Sequence, residues 1–105
     1  MKGDHLGEFE ELTLLAVCAL GADAYGVAVQ EYAERASGRL ISMGAVYAAL
    51  DRLESKGLLR SGVGEPTPVP GGKRKRLFTV TPLGMRTLRE VRRVRERIWR
   101  TIEAR

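Results

Sequence analysis

The stretch from Ser42 to Thr81 constrains this chain more than any other part of it. A helical segment running from Ser42 to Lys56 stops at Gly57. Leu58–Val63 then reads as a strand, a Pro/Gly loop follows, and Lys73-Arg74-Lys75-Arg76 runs directly into Leu77-Phe78-Thr79-Val80-Thr81. Ser42 supplies an N-cap oxygen for the helix. Val46, Leu50 and Leu53 turn one of its faces inward, and Gly44, Tyr47, Ala48, Asp51, Arg52 and Ser55 occupy the opposite face. Three prolines and three glycines between Gly64 and Gly72 exclude regular structure there. The second strand, 74–81, is expected to return antiparallel. A helix that feeds a two-stranded ribbon, with four cations opening the returning strand, can lay its rod in a groove and set those cations on neighbouring phosphates.

The flanking segments complete a helical frame. Phe9, Leu12, Leu15, Ala16 and Ala19 recur at helical spacing and predict a first helix over 6–20 ended by Gly21. Cys18, on that helix, reads as a core residue. Asp23 is placed to cap a second helix over 24–36, with Tyr25, Val29, Tyr32 and Ala33 as its apolar positions and Ser37-Gly38 as its close. The second and third helices form a helix-turn-helix unit. Thr81 as N-cap with Pro82 behind it starts a last helix over 82–103, roughly 33 Å long. Leu88, Val91, Val94, Ile98 and Ile102 make a narrow seam along it, longer than so small a domain can cover. A second copy of the chain is the economical cover, so a homodimer is predicted. The expected fold is mainly α with a small β-wing: a winged helix-turn-helix over 1–81 followed by a C-terminal dimerisation helix over 82–105, in one compact domain.

Charge narrows the choice of partner. The net charge is +5 over 105 residues. Residues 1–72 carry six basic and ten acidic side chains, whereas residues 73–105 carry twelve and three. A polyanion suits that gradient, although an arginine-rich helix face is often only solvated. With 44% hydrophobic and 30% charged residues, the chain has the composition of a soluble globular protein. No run has the length of a membrane span, the N-terminus lacks the layout of a secretory signal, and a single cysteine suits a reducing cytoplasm. His5 is the only histidine and stands far from Cys18, so neither a catalytic constellation nor a metal site can be assembled; no enzyme activity and no cofactor are expected.

Several spaced motifs, in order, resemble the PadR-like transcriptional regulators. They are Tyr25-Gly26-Val27, Gly44-Ala45-Val46-Tyr47, Leu50-Asp51-Arg52-Leu53-Glu54, Lys56-Gly57-Leu58 and Thr79-Val80-Thr81-Pro82-Leu83-Gly84. The similarity extends from about Phe9 to Trp99. It implies a winged-helix dimer, usually a repressor of transcription, often released by a small molecule or a stress signal. Many relatives have Pro where this chain has Ala48, and paired aromatics where it has Leu77-Phe78.

The residues expected to meet double-stranded DNA are Tyr25, Ser42, Met43, Gly44, Ala45, Tyr47 and Arg52 around the recognition helix 43–56, with Lys73, Arg74, Lys75 and Arg76 on the backbone or minor groove. Plainer roles stand beside these. Tyr47 can pack on the second helix, Arg52 can pair with a nearby carboxylate, Lys56 can serve the helix dipole, and cations on an edge strand can simply guard against aggregation. Trp99, beside the seam, reads as packing or as a flat wall for a planar effector between subunits. Two rival readings remain: an effector-responsive repressor, and a winged-helix adaptor that binds an acidic protein.

Overall fold

The computed structural model describes residues 5–66 and 74–105. Helix α1 spans Glu8–Leu20 and passes through a short 3-10 turn, Gly21–Asp23, into α2, Gly26–Ser37. Helix α3, Met43–Ser55, is followed by the antiparallel hairpin of β1, Leu59–Pro66, and β2, Arg74–Val80, and the chain ends in α4, Pro82–Glu103. This is the winged helix-turn-helix expected, with its long C-terminal helix.

Local chemistry sets most boundaries. The Ser42 hydroxyl accepts from the Ala45 N–H at 3.1 Å and starts α3. At its other end, the Gly57 N–H reaches the Glu54 carbonyl and the Leu58 N–H the Leu53 carbonyl, closing a Schellman motif that requires the positive φ of Gly57, 77°. Thr81 Oγ1 accepts from the Gly84 N–H at 3.0 Å, and Pro82 opens α4 as expected. Asp23 does not cap α2. It falls in the 3-10 turn, and Tyr25 takes the N-cap position without a side-chain bond.

The ribbon is longer and better anchored than expected. β1 continues through Gly64 and Glu65 to Pro66 because the register slips between Val63↔Arg76 and Pro66↔Arg74, a bulge that absorbs the extra residue. The Phe78 N–H donates to the Ala24 carbonyl at 2.9 Å, and Tyr25 bridges Leu77. The segment before α2 thus acts as a minimal third strand and fastens the wing to the helices.

The core joins Leu14, Ala16 and Val17 of α1 to Val29 and Ala33, to Val46, Leu50 and Leu53, and to Leu58, Leu59, Phe78 and Leu88. The buried face of α1 is rotated by roughly a third of a turn from the one predicted. Leu15 and Ala19 are exposed, and Cys18, expected in the core, lies on the surface. Helix α1 has apolar residues on more than one side, and the core took the side carrying Leu14 and Val17. Only the start of α4 joins this core. Beyond Val91 every residue of the helix is exposed, and the protein reaches 61 Å along its longest axis.

Candidate nucleic-acid interface

Helix α3 buries Val46, Ala49, Leu50 and Leu53 and presents Ser42, Gly44, Ala45, Ala48, Asp51 and Ser55 to solvent. Apart from Asp51 these are small residues, so the helix backbone is open to close approach. A Cβ at Gly44 would meet nothing nearer than Ser42 Oγ at 3.9 Å. Met43 is half-buried. Tyr47 reaches over the start of α2: a Cβ at Gly26 would stand 2.2 Å from its hydroxyl oxygen, so Gly26 makes room for the ring. The packing role open to Tyr47 from the sequence is therefore occupied, while 41% of the residue stays exposed.

The cations of α3 are not free. Arg52 Nε donates to Glu10 Oε2 at 2.9 Å, and Lys56 Nζ donates to Glu10 Oε1 at 2.7 Å and to the His5 carbonyl at 2.7 Å. Arg52 thus finds its carboxylate on α1, not among its own helix neighbours. Burial pushes the Glu10 carboxyl upward, but bonds from Lys56, the Gly7 N–H and Arg52 outweigh it and bring the pKa from 4.5 to about 2. A depressed carboxylate stabilises the fold fully above its unfolded pKa and loses that contribution as pH falls through the folded one. The stability gap between the wild type and Glu10→Gln is expected to be about 3 kcal/mol near pH 7 and to close between roughly pH 4.5 and 2, as measured by urea unfolding.

On β2 the alternation of side chains divides the basic run. Arg76 points to α3, where it donates to Glu54 Oε1 at 2.7 Å, stands 3.8 Å from Asp51 Oδ1 and lies over the Phe78 ring. The Ser61 hydroxyl, foremost, and Arg76 hold the Glu54 carboxyl below its ordinary pKa. Lys75 lies on the other face, with Nζ 3.9 Å from the centroid of the Tyr25 ring. Arg74 opens β2, and Lys73 falls outside the described residues. The run is thus not one patch: Arg76 ties the wing to α3, and Lys75 with Tyr25 forms the outward cationic surface.

Along α4, Leu88 is buried and Val91 half-buried, whereas Val94, Ile98 and Ile102 are exposed, Ile98 at 55%. Between α1 and α4 runs a groove of about 470 Å³ lined by Leu15, Cys18, Met85, Leu88 and Trp99. Cys18 Sγ lies 3.6 Å from Met85 Sδ in it. Arg95 closes one side of the groove by donating to Glu11 Oε1 at 2.7 Å.

The first turn of α1 is what sequence reasoning missed. Glu8 pairs with Arg39 in the turn before α3, Glu10 with α3 itself, and Glu11 with α4. These three acids suit the helix dipole, and nothing local distinguishes that role from a long-range one. The signal available was the surplus of arginine elsewhere in the chain. Among the described residues no group of His, Cys, Asp or Glu is arranged to hold a metal ion, and no helix is long and apolar enough to cross a membrane.

Residues 14–90 match the transcriptional regulator PadR-like family. A PadR family transcriptional regulator from Eggerthella lenta is 28% identical, with 92% of this chain and 84% of that one covered and a TM-score of 0.66. A PadR-like regulator from Bacillus cereus has the same fold, with a TM-score of 0.73 at 17% identity over 91% and 88% of the two chains. Bordetella bronchiseptica BpsR, whose DNA binding is regulated by 6-hydroxynicotinic acid, is 25% identical, with a TM-score of 0.68 over 91% of this chain and 64% of its own. An uncharacterized 37.1 kDa protein of transposon TN4556 from Streptomyces fradiae is 36% identical over 76 residues; that match takes in 71% of this chain and 20% of the transposon protein.

Proposed function

Because the chain belongs to the PadR-like family of transcriptional regulators, we propose that it is a homodimeric repressor that reads a roughly palindromic operator with α3 in the major groove. The small, exposed face of α3 carries this reading. Gly44, Ala45 and Ala48 let the helix sit deep against base edges, where methyl groups of alanine and thymine can meet. Ser42 and Tyr47 stand at its border, with Tyr25 and Lys75 set to touch the phosphate backbone and the charges of Lys73 and Arg74 adding to its attraction. Arg52, held by Glu10, serves first to fix α3 to α1, and Arg76, held by Glu54, to fix the wing to α3. The uncovered seam of α4 supports pairing of two copies, which would set their α3 helices in successive grooves roughly 34 Å apart.

Gel shifts with the chain's own promoter against random duplex, over a range of salt, test the reading. Preference for the promoter, weakening steeply with salt, is expected. Salt-insensitive binding or none at all would favour the adaptor. Gly44→Ala sharpens the test. It should stabilise the fold by about 0.5 kcal/mol, since alanine is the better helix former, yet weaken operator binding about tenfold by holding the helix off the bases.

The groove beside Trp99 supports a second, compatible reading, in which a planar aromatic effector binds there and alters DNA affinity. Regulation of BpsR by 6-hydroxynicotinic acid lends it weight. Quenching of Trp99 fluorescence by planar aromatic acids is expected, and flat titrations across a varied panel would remove the idea.

A further inference from the structure

Helix α4 carries Arg86, Arg89, Arg93, Arg97 and Arg100 on one side. At 3.6 residues per turn these positions fall within roughly 80° of the helix circumference, nearly opposite the seam of Val91, Val94, Ile98 and Ile102. They form a straight stripe about 21 Å long. All five are exposed. Among the described residues, Arg93 alone of them pairs with a carboxylate, that of Glu90. Glu96 and Glu11 are taken by Arg92 and Arg95, which lie off the stripe.

Within the stripe itself the arginines repel one another. Each arginine has another three or four positions along, and like charges at that spacing cost an isolated helix about 0.2–0.5 kcal/mol per pair. The three glutamates of the helix, Glu90, Glu96 and Glu103, border the stripe within about 40° of its edges, and none falls inside it. The helix also contains no lysine. A guanidinium offers phosphate a planar fork of donors, where an ammonium is only a point charge.

We propose that the arginine stripe of α4 is a second DNA-binding surface, through which a dimer seated on its operator captures another duplex. The inference rests on the reading of the protein as a dimeric DNA binder, because pairing through the seam is what turns both stripes outward. Duplex DNA fits better than an acidic polypeptide. Over the length of the stripe a duplex carries about twelve phosphates, all of one sign, whereas protein surfaces alternate acids with bases.

The experiment immobilises promoter duplex on beads, saturates it with protein and offers a labelled, unrelated duplex. The wild type should retain the labelled duplex, with retention falling steeply as salt rises. The triple variant Arg89→Gln, Arg97→Gln and Arg100→Gln should occupy the immobilised promoter within about twofold of the wild type, yet lose at least about tenfold of the capture, as removal of several phosphate contacts requires. Three results would overturn the proposal: no capture by promoter-bound wild type, equal capture by the variant, or displacement of the labelled duplex by polyglutamate as readily as by unlabelled duplex. Failure of the protein to occupy the promoter at all would remove the underlying reading, and the inference with it.

Discussion

Ile98→Glu is expected to break the proposed dimer into monomers and to weaken the proposed operator binding by about a hundredfold or more, the order of affinity lost when two linked contacts become one. Ile98 is 55% exposed in the protomer, with Val94 and Ile102 on the same seam at 38% and 49%. A carboxylate there costs the isolated chain little, so helicity and the domain's melting should stay close to wild type. In a dimer the same carboxylate would be buried opposite its own copy, where two unpaired charges cannot be tolerated. Sedimentation velocity reads the oligomeric state, and gel shifts on the same preparation read the operator. A wild type that sediments as a monomer, or a variant that remains a dimer, would remove the seam as the interface.

Gly84→Ala is expected to destabilise the fold by about 2–3 kcal/mol, the cost of forcing a methyl group into a filled space, and to lower the melting temperature by roughly 10–20 °C. Propensity alone gives the opposite sign, since alanine is a better helix residue than glycine. The reason is contact between backbones. A Cβ on Gly84 would stand 2.3 Å from the Leu58 carbonyl oxygen and 2.8 Å from Val80 Cγ1. That carbonyl is fixed, because it accepts the Thr81 N–H at 3.1 Å where β2 turns into α4. Relief would require the first turn of α4 to lift off the start of the wing. Gly44→Ala is the internal control, being a helical glycine with open space around it. Thermal melts in which the two variants behave alike would contradict the close approach.

Gly84 also illustrates how far a sequence can be read. Thr79 through Gly84 was legible as the end of a strand, a cap and a helix start, because each of those signals acts within one turn of chain. The demand for glycine at position 84 was not, since the clash comes from Leu58, far back in the sequence. The candidate interface divides in the same way. The exposed face of α3 followed from the spacing of Val46, Leu50 and Leu53, and the structure presents it as expected. The occupation of Arg52 and Lys56 by Glu10, and of Arg76 by Glu54, depended on which surfaces packing brought together. A run of four cations gives no hint that the pleat will turn one inward to α3 and its neighbour outward to Tyr25.

By itself the sequence determined where α3 and α4 begin and end, which face of α3 stays open, and that α4 would carry more apolar surface than its own domain can hide. Those properties follow from capping, periodicity and length, all of them short-range. Only the tertiary structure decided which side of α1 entered the core, leaving Leu15 and Cys18 beside Trp99, and which carboxylate each arginine found. Several apolar faces and several ion pairs were available at nearly equal local cost. The choice among them was made where the helices and the ribbon close on one another, and no single segment of the chain encodes that closure.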